Sequence, residues 1–416
     1  MNKLKVYWET ETVGTLWLDE QRRFCFLYDT NWTENPSALP LSVQLPLSDV
    51  PYLNDISRPF FSNLLPEADI RKMLQKKYSI SEGNDFGLLS EIGGECAGAI
   101  SILPEDQVLD KNGSYKELNI AELDAMIKNI PQRPMILQEG ARLSLAGAQN
   151  KLPVFIRDNK FFLPIGAKSS SHIVKPQIND YPSSVENEAF CMLLAKKIGL
   201  AVPEVFIWKT NVSKAYVIKR YDRKPINNYL KRIHQEDFCQ ALGINAEQKY
   251  EKEGGPSFKK CFELLNNKSS FLLGDKSQLI YWAIFNVLIG NSDAHAKNIS
   301  LIFESGNIRL APFYDLMSTM VYEGLDTRMA MKIGGYYERE NLSKRHWGRF
   351  AEDADAKPQI IFSMIENLIK SIRASIEVVK KDFVIKYGES DIVDKIIEII
   401  LKECSRTEFH LKEGIA

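Results

Sequence analysis

Cysteine and histidine are scarce in this chain of 416 residues, which has six of the former and five of the latter. The cysteines are scattered without a C-x-x-C pair, and neither an H-E-x-x-H motif nor a cluster of histidines is present. This pattern excludes a disulfide framework and a zinc cluster and favours a reducing compartment. A structural metal is therefore not expected.

An excess of charge and long apolar runs are also missing. Lys+Arg number 53 and Asp+Glu 54, so a net charge of −1 does not favour nucleic acid or an acidic membrane surface as a partner. The longest uncharged stretch, residues 277–292, contains Gln278 and two asparagines, and it is shorter than the roughly 20 apolar residues that span a bilayer. Residues 1–9 become charged before any apolar core of a signal peptide. We therefore predict a cytoplasmic protein that does not associate with membranes.

The patterns along the chain predict three regions of an α+β protein. Residues 1–50 have the β-rich runs and turns of short strands, and residues 59–78 have apolar side chains at helical spacing. The middle alternates loop, strand and helix. Beyond residue 230 the chain is mainly helical, apart from a predicted hairpin at residues 299–310. The predicted domains are residues 1–110, 111–235 and 236–416.

The most informative motif places Asp293 five residues before Asn298, followed by the predicted hairpin and by Asp315. Phosphoryl transfer needs a carboxylate that orients the attacking hydroxyl, two oxygen ligands for Mg²⁺ and a cation that neutralises the phosphates. Protein kinases have this order and spacing of residues. The simpler interpretation is that Asp293 forms a helix cap or Asx-turn and that Asp315 caps a helix. The position of the motif between an apolar helix and a strand favours the catalytic interpretation.

A second set of residues could bind nucleotide phosphates. The small-residue turn at residues 144–151 enters a strand, where backbone N–H groups could face phosphate oxygens, although a plain turn is the simpler interpretation of the local sequence. Lys175 ends a short strand before a helix that carries Glu186 and Glu188, as in the lysine–glutamate pair of kinases. Glu188 is our choice of partner, and Lys219 is a rival lysine.

Three other patterns carry local predictions. The triplet Asp85-Phe86-Gly87 has the letters of the kinase metal-binding triplet but precedes the Asp293 motif in the chain, so we predict a structural loop with a packed phenylalanine. Ser183 and Glu186 have the spacing of a capping box. The basic and aromatic run at residues 339–349 is either a solvated helix face, which we favour, or a patch for DNA phosphates.

With these motifs the chain resembles the HipA family, the serine/threonine kinase toxins of bacterial toxin–antitoxin systems. The resemblance runs along nearly the whole chain. The motifs that carry it are FFSNLLP at 60–66, LLSEIG at 88–93, SLAGAQNK at 144–151, HIVK at 172–175, QEDFCQ at 235–240, DAHAKN at 293–298 and PFYD at 312–315. It implies a bilobal protein-kinase-like fold with a β-rich N-terminal subdomain and a mainly helical C-terminal lobe.

The resemblance also implies roles for single residues. It implies Asp293 as the catalytic aspartate, His295 as a contact of the transferred phosphate, and Asn298 and Asp315 as catalytic-site ligands of Mg²⁺. Ser144 matches the autophosphorylated serine of the family, whose phosphate would repel those of the nucleotide. The implied ATP-binding residues are Ala146, Gly147, Ala148, Gln149, Asn150 and Lys151 of the phosphate loop, Lys175, Glu236, Asp237 and Phe238 of the hinge, and His295, Ala296, Lys297, Asn298, Tyr314 and Asp315. Asn150 departs from the glutamate that relatives often have, and Pro153 follows closely.

The partners implied by the resemblance are a HipB-like helix-turn-helix antitoxin, DNA through that antitoxin, and a protein substrate in translation such as an aminoacyl-tRNA synthetase. Two alternatives stay open at this point. One is a kinase-like scaffold with little catalytic activity that acts as a DNA-bound corepressor with its antitoxin. The other is a small-molecule kinase, which the long β-rich front disfavours.

Overall fold

The computed structural model describes residues 3–107, 113–130, 147, 149–166, 168–227 and 229–412 of the chain. It divides into two compact units, each of which is discontinuous in sequence. The first unit comprises residues 1–176, 208–247 and 301–306, and the second comprises residues 177–207, 248–300 and 307–416.

The first unit begins with a four-stranded antiparallel sheet covered by helices. In strand β1 the buried Leu4 and Val6 alternate with more exposed residues, which is the period of two that a half-buried strand requires. The opposing helices bury Phe60, Phe61 and Leu89 in the same core. The strands, in the order β3-β2-β1-β4, are β1 Lys3–Trp8, β2 Glu11–Leu18, β3 Phe24–Tyr28 and β4 Ile100–Pro104. The helices are α1 Thr30–Thr33, α2 Asn54–Ser62, α3 Ala68–Tyr78 and α4 Asp85–Ile92.

A second antiparallel sheet of the first unit contains Lys175. Its strands β5, β7, β6, β8 and β10 are neighbours in that order, and Lys175 on β8 pairs with Tyr216 on β10. The elements of this region are β5 Tyr115–Leu118, α5 Ile120–Asn129, β6 Leu152–Arg157, β7 Lys160–Pro164, β8 His172–Pro176, β9 Val205–Lys209, β10 Lys214–Lys219, β11 Arg223–Ile226, β12 Tyr229–Arg232, β13 His234–Asp237, α7 Phe238–Ala241 and β14 Ser300–Glu304. The first three residues of β9 and the first residue of β14 belong to the second unit.

Five of the charged side chains in the first unit form a buried arginine cluster, consisting of Glu95, Arg220, Asp222, Arg223 and Arg232. Arg220 donates hydrogen bonds of 2.9 and 2.8 Å to the two carboxylate oxygens of Asp222 and one of 3.2 Å to Glu95. Arg223 donates to the same two carboxylates at 2.8 and 3.3 Å. Burial alone would raise the pKa of Glu95, but the charges of Arg220, Arg232 and Arg223 hold that pKa below its usual value. The carboxylates and guanidinium groups of the cluster therefore stay ionised. They join the segment that precedes β4, which contains Glu95, to the region of β10–β12.

The second unit is mainly helical. The 30-residue helix α11 begins at Pro358, whose missing N–H costs nothing in a first turn, and it packs against α6, α9, α10 and α12. The fully buried side chains of the second unit include Trp282, Trp347 and Phe350. The elements are α6 Ser184–Lys197, α8 Phe258–Lys268, α9 Leu272–Leu288, β15 Asn307–Leu310, α10 Lys344–Asp353, α11 Pro358–Tyr387 and α12 Asp391–Lys412. No helix in the described ranges is long and apolar enough to cross a membrane.

Three local predictions are wrong. Asp85, Phe86 and Gly87 do not form a loop but the first turn of α4, although Phe86 is buried as expected. Ser183 has the left-handed φ of 56° and makes no capping hydrogen bond, because an N-cap residue needs an extended backbone. The solvated face predicted at residues 339–349 is correct for Arg345 and Arg349, which are exposed, and wrong for Arg339, His346 and Trp347, which are buried.

Candidate active site

The loop at residues 290–298, the Asp293 loop, follows α9 and holds its own shape by short-range hydrogen bonds. Gly290 has a φ of +69°, and a Cβ there would lie 2.9 Å from the Met320 sulfur, so only glycine fits this turn. The Asn291 side chain accepts a hydrogen bond from the Asp293 N–H at 3.0 Å, which is an Asx-turn. The backbone of Asp293 is thereby fixed at the end of an apolar helix.

The Asp293 carboxylate is half-exposed, with 56% of its side chain accessible. Its Oδ1 accepts a hydrogen bond of 2.6 Å from the Tyr250 hydroxyl and lies 4.0 Å from His295 Nε2. His295 is buried, and its ring and the Tyr250 ring form a T-shaped contact at a centroid distance of 5.3 Å. The carboxylate therefore sits where a hydroxyl can donate to it.

Asn298 and Asp315 follow in the same unit. Asn298 is buried and its Nδ2 donates to the Asp293 carbonyl at 3.1 Å, so its Oδ1 faces a different direction. Asp315 has a left-handed φ of 55°. The Tyr314 hydroxyl donates to the Lys297 carbonyl at 2.8 Å, and this bond joins the residues that directly precede Asp315 and Asn298.

An amide oxygen and a carboxylate are ligands that suit Mg²⁺, which is usually bound by few protein groups together with substrate phosphates. In the described part of the chain, no group of three or more His, Cys, Asp and Glu side chains could hold a metal by itself. The donor set of Asn298 and Asp315 thus fits an ion that a nucleotide helps to bind, rather than a resident metal centre.

The candidate lysine and its candidate glutamate lie in different units. Lys175 is buried on β8 in the first unit, with its Nζ 5.5 Å from the centre of the Tyr216 ring, whereas the rival Lys219 is exposed at the end of β10. Glu188 is buried on α6 in the second unit, and the neighbouring Asn187 is hydrogen-bonded to both backbone groups of Ser318 at 2.8 and 2.9 Å. The Lys175–Glu188 pair stays a prediction.

The predicted phosphate loop is described only in part, because Ala146 and Ala148, like the nearby Ser144, lie outside the described residues. Gly147 has a φ of +106°, and a Cβ there would lie 2.8 Å from the Lys151 ammonium nitrogen. Its carbonyl accepts a hydrogen bond from the Glu67 N–H at 3.2 Å. Gln149 donates to the carbonyl of Pro176, the residue after Lys175, at 3.4 Å. Within the first unit, the loop end and the candidate lysine are therefore neighbours.

The predicted hinge residues contact the N-terminal part of the first unit. Glu236 is buried and accepts a hydrogen bond of 3.0 Å from the Val43 N–H. Asp237 and Gln240 form a capping box at the start of α7, with both hydrogen bonds at 2.9 Å. The Asp237 N–H is therefore used by the Gln240 side chain.

Tyr250 was not found from the sequence. It is 43 residues from Asp293, and it precedes a short 3-10 helix at Glu251–Glu253 that has no motif of its own. No local spacing rule connects the two residues, so the signal exists only in the fold.

Comparison with known proteins gives matches to two family models. Residues 4–103 match the HipA N-terminal domain, and residues 143–376 match the HipA-like C-terminal domain. A Sinorhizobium fredii protein named "Putative kinase Y4mE" is 40% identical over 91% of this chain and 92% of its own length. The serine/threonine-protein kinase toxin HipA of Shewanella oneidensis is 32% identical over 85% of this chain and 83% of its own length. A solved structure of Shewanella oneidensis HipA with HipB and operator DNA has a TM-score of 0.85 and 29% identity, covering 99% of this chain and 98% of that one.

Proposed function

The chain belongs to the HipA family of serine/threonine kinase toxins, and we propose that it is itself an ATP- and Mg²⁺-dependent protein kinase that phosphorylates serine or threonine. The observation that carries the proposal is the half-exposed Asp293 carboxylate, which already accepts a hydroxyl hydrogen bond at 2.6 Å. A base of this kind must lie within hydrogen-bond reach of the hydroxyl that it activates. Family membership supports the same assignment.

In the proposed reaction, Asp293 orients the acceptor hydroxyl and takes its proton as the oxygen attacks the γ-phosphorus. The new O–P bond forms as the bond from the γ-phosphorus to the ADP oxygen breaks. Asn298 and Asp315 would hold Mg²⁺, which neutralises charge on the phosphates. Lys175 binds the α- and β-phosphates, the backbone of the phosphate loop binds phosphate oxygens, and His295 contacts the transferred phosphate.

The finer parts of the proposal concern the acceptors and partners. We infer that Ser144 is an acceptor within the chain itself and that the external substrate is a protein of translation such as an aminoacyl-tRNA synthetase. The proposed partner is a HipB-like antitoxin that brings the chain to DNA. This part is supported by the similarity to a protein whose structure contains HipA, HipB and operator DNA.

The test is transfer from labelled ATP in purified full-length protein. Asp293→Ala is expected to reduce transfer at least about a hundredfold, because a positioned general base contributes on that scale, and Asp315→Ala to reduce it as strongly. Asp382→Ala, on the exposed side of α11, is the matched control and should not change the rate. Mass spectrometry then locates the phosphate, with Ser144→Ala as the variant that should lose it. Undiminished transfer by a folded Asp293→Ala protein would contradict the assignment.

A second candidate function is that of a corepressor without essential catalysis, which the HipA–HipB–DNA complex of the neighbour favours. This function requires DNA affinity that depends on an antitoxin, decreases with salt and is the same in Asp293→Ala. Electrophoretic mobility shifts with both proteins and the operator measure it.

A further inference from the structure

The Tyr250 hydroxyl donates to Asp293 a hydrogen bond that, in the proposed reaction, the hydroxyl of the substrate must donate. A phenol hydroxyl donates to Asp293 Oδ1 at 2.6 Å. In phosphoryl transfer the acceptor hydroxyl must donate to this carboxylate before it attacks. The Tyr250 hydroxyl therefore occupies a position on the proposed base that the substrate hydroxyl could take.

The backbone of Tyr250 is fixed by a tight loop. Its carbonyl accepts hydrogen bonds from the N–H groups of Glu253 and Gly255 at 2.9 and 3.0 Å. A Cβ at Gly255 would lie 2.7 Å from that carbonyl oxygen and 2.3 Å from the carbonyl oxygen of Gln248. Because the backbone is held in this way, the Tyr250 hydroxyl would leave Asp293 by rotation of the side chain rather than by movement of the loop.

The same loop is attached to a neighbouring segment of the second unit. Glu251 donates its N–H to the Ala330 carbonyl at 3.2 Å, and its carboxylate accepts the Lys332 N–H at 2.7 Å. Burial raises the pKa of Glu251, although Lys332 opposes that shift. These contacts hold the Tyr250 side chain within reach of Asp293.

The surroundings of the ring favour this one orientation. The ring meets His295 edge to face at 5.3 Å, and the ammonium groups of Lys249 and Lys252 lie 5.3 and 5.7 Å from its centroid. Edge-to-face and cation–π contacts each add to the stability of a ring position. The hydroxyl is thus held at the carboxylate while the ring remains half-buried.

We propose that the Tyr250 hydroxyl forms an autoinhibitory contact with Asp293, which persists until an acceptor displaces that hydroxyl. This inference rests on the proposed kinase function and deepens it. With Tyr250 in place, water must compete with its hydroxyl for Asp293 Oδ1, so ATP hydrolysis without an acceptor is slowed. A serine or threonine substrate must replace the Tyr250 hydrogen bond, and this competition raises the KM of every acceptor.

The experiment compares the full-length wild type with Tyr250→Phe, which removes only the hydroxyl, and with Tyr250→Ala, which also removes the ring contacts. Tyr281→Phe on α9 is the matched control. Phosphate release from ATP is measured without an acceptor, and kcat and KM are measured with a synthetic peptide of residues 138–150, which includes Ser144. Circular dichroism checks that each variant is folded.

The expected result for Tyr250→Phe is that phosphate release rises about tenfold and that the peptide KM falls about tenfold, since a hydrogen bond to a charged group is worth roughly this factor or more. We expect kcat to change by less than about twofold, because the base itself is retained. Tyr250→Ala should likewise raise phosphate release and lower the peptide KM.

Two results would overturn the inference. One is a fall in kcat with unchanged phosphate release, which would mean that Tyr250 only orients Asp293. The other is the absence of any difference between Tyr250→Phe and Tyr281→Phe. In both cases the kinase function stands. If instead the wild type neither transfers nor hydrolyses more than Asp293→Ala, the kinase function fails and the role of Tyr250 fails with it.

Discussion

Acidification should destabilise the first unit through His234. This side chain is completely buried on β13, its Nε2 donates to the Leu41 carbonyl at 2.7 Å, and its ring contacts those of Trp8 and Phe303 at 4.6 and 5.2 Å. Burial lowers the pKa of His234 to about 4, and the hydrogen bond to Leu41 and the charge of Asp222 only partly oppose this shift. Protonation therefore favours the unfolded chain.

The direction and size of the effect follow from linkage. Between about pH 6.5, where an exposed histidine titrates, and about pH 4, the unfolded chain binds a proton that the folded chain does not, so stability is lost as the pH falls. For a pKa of about 6.5 in the unfolded chain and about 4 in the folded chain, the free energy of unfolding falls by about 2 kcal/mol between pH 7 and pH 4.5. Above pH 7 His234 should add no further pH dependence.

The assay is urea unfolding at several pH values, followed by tryptophan fluorescence, to which the neighbouring Trp8 contributes. His234→Gln retains a donor for the Leu41 carbonyl but does not titrate, so its free energy of unfolding should depend less on pH by this amount. His410→Gln, on the C-terminal helix, is the control. Parallel pH profiles for His234→Gln and the wild type would refute the reasoning.

The remaining predictions concern buried polar contacts. Asp85 is buried and forms ion pairs with two arginines, so Asp85→Asn should lower the free energy of unfolding by about 3 kcal/mol in urea titrations; an unchanged midpoint would contradict this. Asn187→Leu leaves both backbone groups of Ser318 without their partner and should cost about 3 kcal/mol by the same assay, whereas the exposed Asn367→Leu should have little effect.

Elements defined by local periodicity were predictable from the sequence. The two runs that predicted strands in residues 1–50 lie in β1 and β3, whereas β2 was not predicted. The β-rich front and helical back of the predicted fold are confirmed. The predicted hairpin at residues 299–310 corresponds to the strands Ser300–Glu304 and Asn307–Leu310.

Features that depend on backbone conformation or on distant contacts were not predictable. A capping box at Ser183 has the right letters, but the left-handed backbone there prevents it. Asp85 begins a helix because the Asn84 side chain caps that helix through the Gly87 N–H, a local signal that the kinase-like triplet obscured. The Tyr250–Asp293 bond has no sequence signature at all. The roles of Asp293, Asn298 and Asp315 stay predictions that the enzymatic tests decide.

The buried arginine cluster has a consequence for attempts to recombine this chain with its relatives. Glu95 belongs to the segment that matches the HipA N-terminal domain, while its arginine partners belong to the segment that matches the C-terminal domain. A chimera that exchanges one segment and brings a neutral residue to position 95 would leave the three buried arginines of this cluster with Asp222 as its remaining carboxylate. A compatible exchange must therefore transfer Glu95 together with its arginine partners. We expect the five positions of the cluster to covary among relatives.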